Sequence, residues 1–515
     1  MGLKVTKMKK LYIQYFDISF FDDIGEQPKD LDSILSDTNY IISGDFYGIQ
    51  KFIFDHISTK NASKVLRAKS AFIQVYTKYL AKYICTQIGI DEKYILSLNA
   101  GKFEILSPKD VDLEPIRKKI NEFFIKNYYA LGGVGICKVA CVREDFKDSK
   151  RYKALRKKIA DEIELLKFKK FDLQKQNPIL EYDKQISNQT LCPICNIRKI
   201  EDSKDSCRIC NDFIELGKKL TFKEQTDYQV NYFEEFKTSI KLDKKLKSYV
   251  LKKENNSPAT FEELAKSSCK NLDSGIKAIG VLKADVDSMG DFLKNNDITD
   301  SFENFDTFSK VLDNFFSLYI PQKLMRDRFR YTYTVFAGGD DLFLVGSWDE
   351  ILDLARQIRK DFKKFVKNSL SISFGIAIAK PSTPISYLAN HTEELLERSK
   401  EFNGKDAITI FNETVKWDSY LKVYDKLDET FKKFNQNSLN TTFLYRLLDF
   451  CEMSKEAKEG KIRATIWKSK LNYIFNRNID EKYHYLIVDL DEVIESTPKE
   501  TKMFLSEFIY KRRDG

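Results

Sequence analysis

The sequence predicts an α+β fold built from two copies of one β-α-β-β-α-β unit, on three observations. Two β-branched and aromatic runs, Thr332 to Phe336 and Leu342 to Gly346, meet at the turn Gly338-Gly339-Asp340-Asp341, which reads as a hairpin with carboxylates at its tip. Upstream, the apolar run Ala278 to Ala284 ends in Asp285-Val286-Asp287, and a helical segment separates it from the hairpin. The layout also recurs: Tyr40 to Phe54 gives strand, Gly-flanked turn and helix start, and 55 positions separate Asp45 from Ala100 as they separate Asp285 from Asp340. In such a unit the first strand lies beside the third, which brings Asp285 next to Asp340.

The elements follow in order. Residues 1–40 mix a short aromatic segment with an acidic stretch and receive no role. In the first ferredoxin-like unit an amphipathic helix, Ala62 to Ile88, precedes a hairpin of Tyr94 to Leu98 and Phe103 to Leu106 around Asn99-Ala100-Gly101-Lys102, where the acidic pair is missing. A helix (Leu113 to Tyr128) and a strand (Val134 to Val142) complete it. The second unit ends with the helix Trp348 to Val366, the alternating strand Leu370 to Ile378, and a helix and strand from Ile385 to Phe411. Beyond Trp417 the chain reads helical over Tyr420–Asn435, Thr442–Met453, Lys461–Phe475 and Thr497–Tyr510. There Arg446, Arg463, Lys468 and Lys470 are candidates to face RNA or a protein partner, although charged helix faces are commonly just solvated. The expected division is 1–150, 151–270, 271–416 and 417–515.

Two chemistries stand out. Carboxylates converging from a strand end and a turn suit Mg²⁺ or Mn²⁺, which take oxygen ligands and leave positions for water and phosphate. Gly338 and Gly339 let the turn adopt positive φ and leave room for a triphosphate near the backbone; Gly-Gly-Asp-Asp is also ordinary turn chemistry. Between the units, Cys192-Pro193-Ile194-Cys195 and Cys207-Arg208-Ile209-Cys210 have the spacing of a closed structural Zn²⁺ site, whereas a redox pair would favour one C-x-x-C at a helix start. The basic flank Lys167–Lys175 and the stretch Phe222–Asn256 read as solvated helices and linkers. With 515 residues, 42% hydrophobic, the chain has material for several cores. Its net charge of +9 permits a polyanionic partner without requiring one. No apolar run is long enough to span a membrane and no leader-like segment is present, so a cytoplasmic location is expected.

Together these residues resemble the large subunit of type III CRISPR effector complexes, of Csm and Cmr type. The match rests on Ser43-Gly44-Asp45-Phe46-Tyr47-Gly48-Ile49-Gln50-Lys51-Phe52-Ile53, on the four cysteines, and on Asp285-Val286-Asp287 followed by Gly338-Gly339-Asp340-Asp341. The resemblance implies two polymerase/cyclase-like palms facing each other, each holding ATP, and synthesis of cyclic oligoadenylates switched on by target RNA. Partners would be CRISPR RNA, target RNA and other effector subunits, with no membrane. It implies Asp285 and Asp340 as carriers of Mg²⁺ or Mn²⁺, Asp341 in support and Asp287 less directly involved. Nucleotide contacts would come from Gly338, Gly339, Asp287, Lys400 and Lys405 in the second palm and from Gly44, Asp45 and Gly48 in the first; the zinc ligands are the four cysteines.

Two departures shape the expectation. Many members carry an HD nuclease domain, but none of the three histidines, His56, His391 and His484, is followed by Asp, so DNA cleavage is expected to be absent. The first-palm turn also lacks the run of glycines frequent in the family. Competing readings are a diguanylate-type cyclase, which usually pairs two identical palms, and a non-catalytic RNA-binding scaffold with a vestigial palm.

Overall fold

The computed structural model describes residues 14–21, 29–57, 61–99, 101–168, 191–200, 205–220, 226–233, 236–243, 246, 258–270, 272, 274–325, 328–434 and 439–513. Ala100, most of the Lys167–Lys175 flank and parts of the 1–40 and 222–256 stretches lie outside them.

The first sheet is laid on β1 (Thr38–Tyr47), which turns Ile42 and Phe46 to one face and Ile41, among the buried polar Asn39, Ser43 and Asp45, to the other. Gly48, at φ +70°, ends the strand and starts helix α1 (Ile49–Phe54); a Cβ there would lie 2.6 Å from the Leu131 carbonyl oxygen. Helix α2 (Ala62–Gln87) then crosses to the hairpin β2 (Ile95–Asn99) and β3 (Lys102–Ser107), and α3 (Glu114–Tyr128) leads to β4 (Gly133–Val142). The strand order is β2-β3-β1-β4, antiparallel throughout. Ile42 and Phe46 pack toward α2 and α3, while Ile41 and Val139 pack toward α4 (Ser149–Phe168), so both faces are covered.

The second sheet repeats that order. Strands β7 (Ile279–Val286), β8 (Thr332–Gly338), β9 (Asp341–Ser347) and β10 (Ile372–Ala379) line up β10-β7-β9-β8, extended beside β10 by β11 (Ala407–Ile410) and β12 (Glu413–Lys416). Between β7 and β8 run α7 (Met289–Asn295), α8 (Phe302–Asn314) and a wider π-helical stretch, Phe315–Leu324, around Pro321. On one face Leu282, Ala284, Leu342 and Leu344 pack against α9 (Trp348–Phe365). On the other, Val281, Phe343 and Val345 join the core of the first unit, beside α10 (Ile385–Glu401). Phe54 lies 4.6 Å from Phe343, and the Arg67 guanidinium lies 5.6 Å over the Tyr333 ring, so the two sheets share one apolar seam.

Between the units, α5 (Arg208–Lys219) packs on α2 at Gly217, where a Cβ would meet the Lys64 carbonyl oxygen at 2.5 Å. The 222–256 stretch departs from expectation: it holds the antiparallel ribbon β5 (Thr226–Phe233) and β6 (Phe236–Leu242). Ile240 and Leu242 are buried and alternate with Lys241, a period of two masked by the charge. The C-terminal region is helical: α11 (Trp417–Lys433), α12 (Thr441–Lys458), α13 (Trp467–Asn478), α14 (Ile487–Ser496) and α15 (Pro498–Arg512). Lys468 pairs with Glu495 and Arg446 with Asp449 on solvated faces, while Arg463 and Lys470 are exposed. Residues 14–21 pack with the second unit: Tyr15 and Phe16 are buried there, and the Phe16 ring stacks 4.8 Å from Phe365. Among the described residues no helix is long and apolar enough to cross a membrane.

Candidate functional site

The acidic hairpin is held from three sides. Asp285, near the end of β7, stands in register with Asp341 of β9, and the Val286 N–H donates to the Asp340 carbonyl oxygen at 3.1 Å. Gly338 pairs with Asp341 inside the ladder as the last residue of its strand, and the positive φ that the glycines allow the turn falls at Gly339, at +67°. The Gly339 N–H donates to Asp313 Oδ1 at 2.9 Å, an anchor from the end of α8.

Alternation along β7 turns Lys283 and Asp285 to the same face, toward Glu393, Glu397 and Lys400 of α10. Lys283 hydrogen-bonds Glu393, and the Lys400 ammonium sits on Asp285 Oδ2. Burial lifts the Asp341 carboxyl to about 6, with the Lys283 charge opposing the rise and the Asp340 charge adding to it. Burial likewise lowers the pKa of Lys400, and the neighbouring charges of Lys283 and Lys405 add to it.

Asp287 is drawn one strand further. Its Oδ2 accepts from Ser371 Oγ at 2.7 Å and from the Asp406 N–H at 3.0 Å, while its buried Oδ1 has no protein partner. The carboxylate of Asp406 is in turn held by Arg359, through Nε at 2.7 Å and Nη2 at 2.5 Å. Gly404, Lys405 and Asp406 all have positive φ, which curls the loop after α10 around a cavity of about 800 Å³ lined by Asp287, Phe292, Asn296, Arg359, Lys400 and Lys405. The cavity adjoins the carboxylates through Lys400 and Asp287.

The first unit presents a different set at the same place. Strand register matches Asn99–Lys102 with Gly338–Asp341, so Gly101 stands where the second unit has Asp340, and Lys102 where it has Asp341. This shifts by one residue the match of Ala100 with Asp340 drawn from spacing. Asp45, buried, is paired with Lys167 at 2.7 Å and Lys102 at 3.8 Å. Gly44 leaves room for the Phe103 ring, whose nearest atoms would lie 2.1 Å from an added Cβ.

The four cysteines converge as the spacing predicts. The Sγ atoms of Cys192, Cys195, Cys207 and Cys210 lie within 4.8 Å of one another and are buried, the one such group of three or more metal-binding side chains among the described residues. The Cys207 N–H points to Cys192 Sγ at 3.4 Å, and the Cys192 N–H closes its knuckle on the Arg198 carbonyl oxygen at 2.8 Å. Hydrogen bonds from Cys207 and Cys210 lower the pKa of Cys195, and the same contacts raise their own.

Known proteins match two segments of the chain and resemble most of it. Residues 278–409 match the family model of the Cas10/Cmr2 second palm domain, and residues 38–185 match that of Csm1 subunit domain B. The chain is similar to Cas10/Csm1 proteins over most of its length. A Methanocaldococcus jannaschii relative, named CRISPR system single-strand-specific deoxyribonuclease Cas10/Csm1 (subtype III-A), is 27% identical, covering 85% of this chain and 69% of its own. The Streptococcus thermophilus protein of that name is 26% identical over 92% of this chain and 68% of its own. In fold the chain resembles the crystal structure of a Csm1–Csm4 cassette in complex with cA3, at TM-score 0.68 and 20% identity over 93% of this chain and 70% of that one. The cassette in complex with AMPPNP gives TM-score 0.64.

By donor type the carboxylates at the hairpin, all oxygen, suit a hard divalent cation, and Asp287 keeps an unpartnered buried oxygen, while Lys400 occupies Asp285. The cysteine cluster fits Zn²⁺ equally well by donor type and spacing. Sequence reasoning missed Asp313, Arg359 and Asp406. Asp313 and Arg359 are acids and bases of ordinary amphipathic helices, and only the tertiary fold turns them toward the site.

Proposed function

We propose that this chain, like the Cas10/Csm1 proteins it resembles, is the large subunit of a type III CRISPR effector complex and its cyclic oligoadenylate synthase, activated by target RNA paired to CRISPR RNA. The observation that carries the reading is the pairing of Asp285 with the Asp340-Asp341 turn beside a lysine-rimmed cavity of about 800 Å³, reached through Lys400 and Asp287 and large enough for a nucleotide. Asp285 and Asp340 would hold Mg²⁺ or Mn²⁺ and Asp341 would support them; when bound, such ions neutralise the attacking and leaving oxygens of phosphoryl transfer. Lys400 and Lys405 would take the triphosphate, and Gly339 leaves open space beside it. The acceptor 3′-hydroxyl would attack the α-phosphate, releasing pyrophosphate.

The first unit, within residues 1–150, would be a degenerate palm contributing the acceptor site through Gly44, Asp45 and Gly48. Its lysines at Asp45 favour an asymmetric pair of palms over the symmetric pair of a diguanylate cyclase. Residues 151–270 form the zinc-binding linker, 271–416 the catalytic palm and 417–515 the helical domain. Solved relatives in complex with cA3, cA4 and AMPPNP, bound to Csm4, support both product class and partner class.

Incubating the assembled complex with ATP, Mn²⁺ and target RNA is expected to yield cyclic oligoadenylate. Asp340→Ala with Asp341→Ala is expected to abolish product while RNA binding persists; full product from that double variant would overturn the assignment. Although relatives are named deoxyribonucleases, no His-Asp pair occurs in these 515 residues, and the chain is proposed to leave single-stranded DNA uncut. DNA cutting that disappears with the Asp340 substitution would place nuclease chemistry in the palm.

A further inference from the structure

We propose that Lys400 is a positioning residue that couples metal and nucleotide loading: its ammonium holds Asp285 until a divalent ion displaces it into the adjoining cavity, where it meets the triphosphate. The inference rests on the reading of Asp285 as a metal carboxylate.

Three observations lead to it. The Lys400 ammonium sits on Asp285 Oδ2, on the side chain that would otherwise face a metal, and both side chains are only partly exposed, at 27% and 18%. Lys400 also lines the cavity together with Lys405, whereas Asp285 does not, so the same side chain borders both compartments. The other cation on this face, Lys283, is committed to Glu393 and is nearly buried. Lys400 is therefore the charge that this face can move.

The physical consequence is a competition. One carboxylate oxygen cannot serve an ammonium and a divalent cation at full strength, and two positive centres a few ångströms apart repel in a site of reduced dielectric. A metal binding alone must expel Lys400 into an empty cavity. A nucleotide binding alone must pull Lys400 off Asp285 and leave that carboxylate uncompensated. When both arrive, the metal takes Asp285, the triphosphate takes Lys400, and neither cost is incurred. Binding of each therefore strengthens binding of the other, and the coupling is reciprocal.

The test uses the full-length chain and reads binding, with no turnover. Free Mn²⁺ is titrated by electron paramagnetic resonance in the absence of nucleotide, and a non-hydrolysable ATP analogue is titrated in metal-free buffer. Lys400→Gln is expected to bind Mn²⁺ several-fold to about tenfold more tightly than the parent chain, because the competing cation is gone, and to bind the analogue more weakly. Lys400→Arg, which keeps the charge, is expected to retain the parent's Mn²⁺ affinity. A lysine that only supports the fold would weaken both ligands, and one that only contacts phosphate would leave Mn²⁺ untouched; either result overturns the proposal. Asp285→Asn separates the two levels of inference. If it loses Mn²⁺ while Lys400→Gln binds Mn²⁺ unchanged, the coupling fails and the metal carboxylate stands; if it keeps Mn²⁺, both fail.

Discussion

Single glycines in this chain do different work, and the difference is measurable. Gly44 must stay without a side chain because Phe103, buried in the first core, fills that space. Gly44→Ala is expected to cost about 1–3 kcal/mol through overpacking, read as a lower melting temperature. At Gly339 a Cβ would meet nothing within 4 Å, and only the positive φ opposes it. Gly339→Ala is expected to cost about 1–2 kcal/mol of the left-handed conformation while the hairpin still forms, so chemical denaturation should rank the two substitutions in that order. Residue identity predicted the acids at this turn, since few sequences put Gly-Gly-Asp-Asp between two β runs. It did not predict which residue opposes which. The one-residue shift in the first hairpin is invisible to spacing because register is set by side-chain alternation and turn closure together.

Among the elements, the docking of α15 against α9 is the most sharply charged. Arg356 is buried and donates to both oxygens of Glu507, at 2.8 and 3.0 Å, with Lys511 adding a further contact at 2.7 Å. Burial alone would raise the Glu507 pKa, but Arg356 and Lys511 outweigh it and hold the value at about 2, against 4.5 unperturbed. A carboxyl depressed in the fold stabilises it fully above its unfolded pKa and loses that contribution as pH falls. The helical region is therefore expected to loosen from the palm between about pH 4.5 and 2, followed by tryptophan fluorescence of Trp348 and Trp417, and Glu507→Gln should remove that transition. By leaving Arg356 with only the half-exposed Asp353 and the Tyr420 hydroxyl as partners, the same substitution should destabilise the docked state by about 3 kcal/mol at neutral pH. Periodicity found α9, α11, α12 and α15 within a few residues, since each buries an apolar stripe. It passed over α14, whose ten residues carry acids between Ile487, Leu490, Val493 and Ile494, and over the β5–β6 ribbon, whose lysines read as solvated helix.

At the scale of the whole molecule, the cysteine module belongs to the first unit's core. Cys192, Cys195, Cys207 and Cys210 share it with Phe52, Tyr128 and Phe213. One zinc per chain is the expected result of metal analysis, and since structural zinc contributes on the order of 10 kcal/mol to its module, Cys192→Ser or chelation should unfold the first unit along with it. The opposite end of the chain raises a question of time. Tyr15 and Phe16 pack against Phe308 and Phe365, and the Asp17 N–H donates to the Phe365 carbonyl oxygen at 2.7 Å. A ribosome adding roughly 5–20 residues per second makes Phe16 tens of seconds before Phe365 exists. During that interval the newborn segment offers Tyr15, Phe16, Phe20 and Phe21 to whatever else is at hand, and the second unit cannot finish its core until this earlier-made segment is threaded back into it.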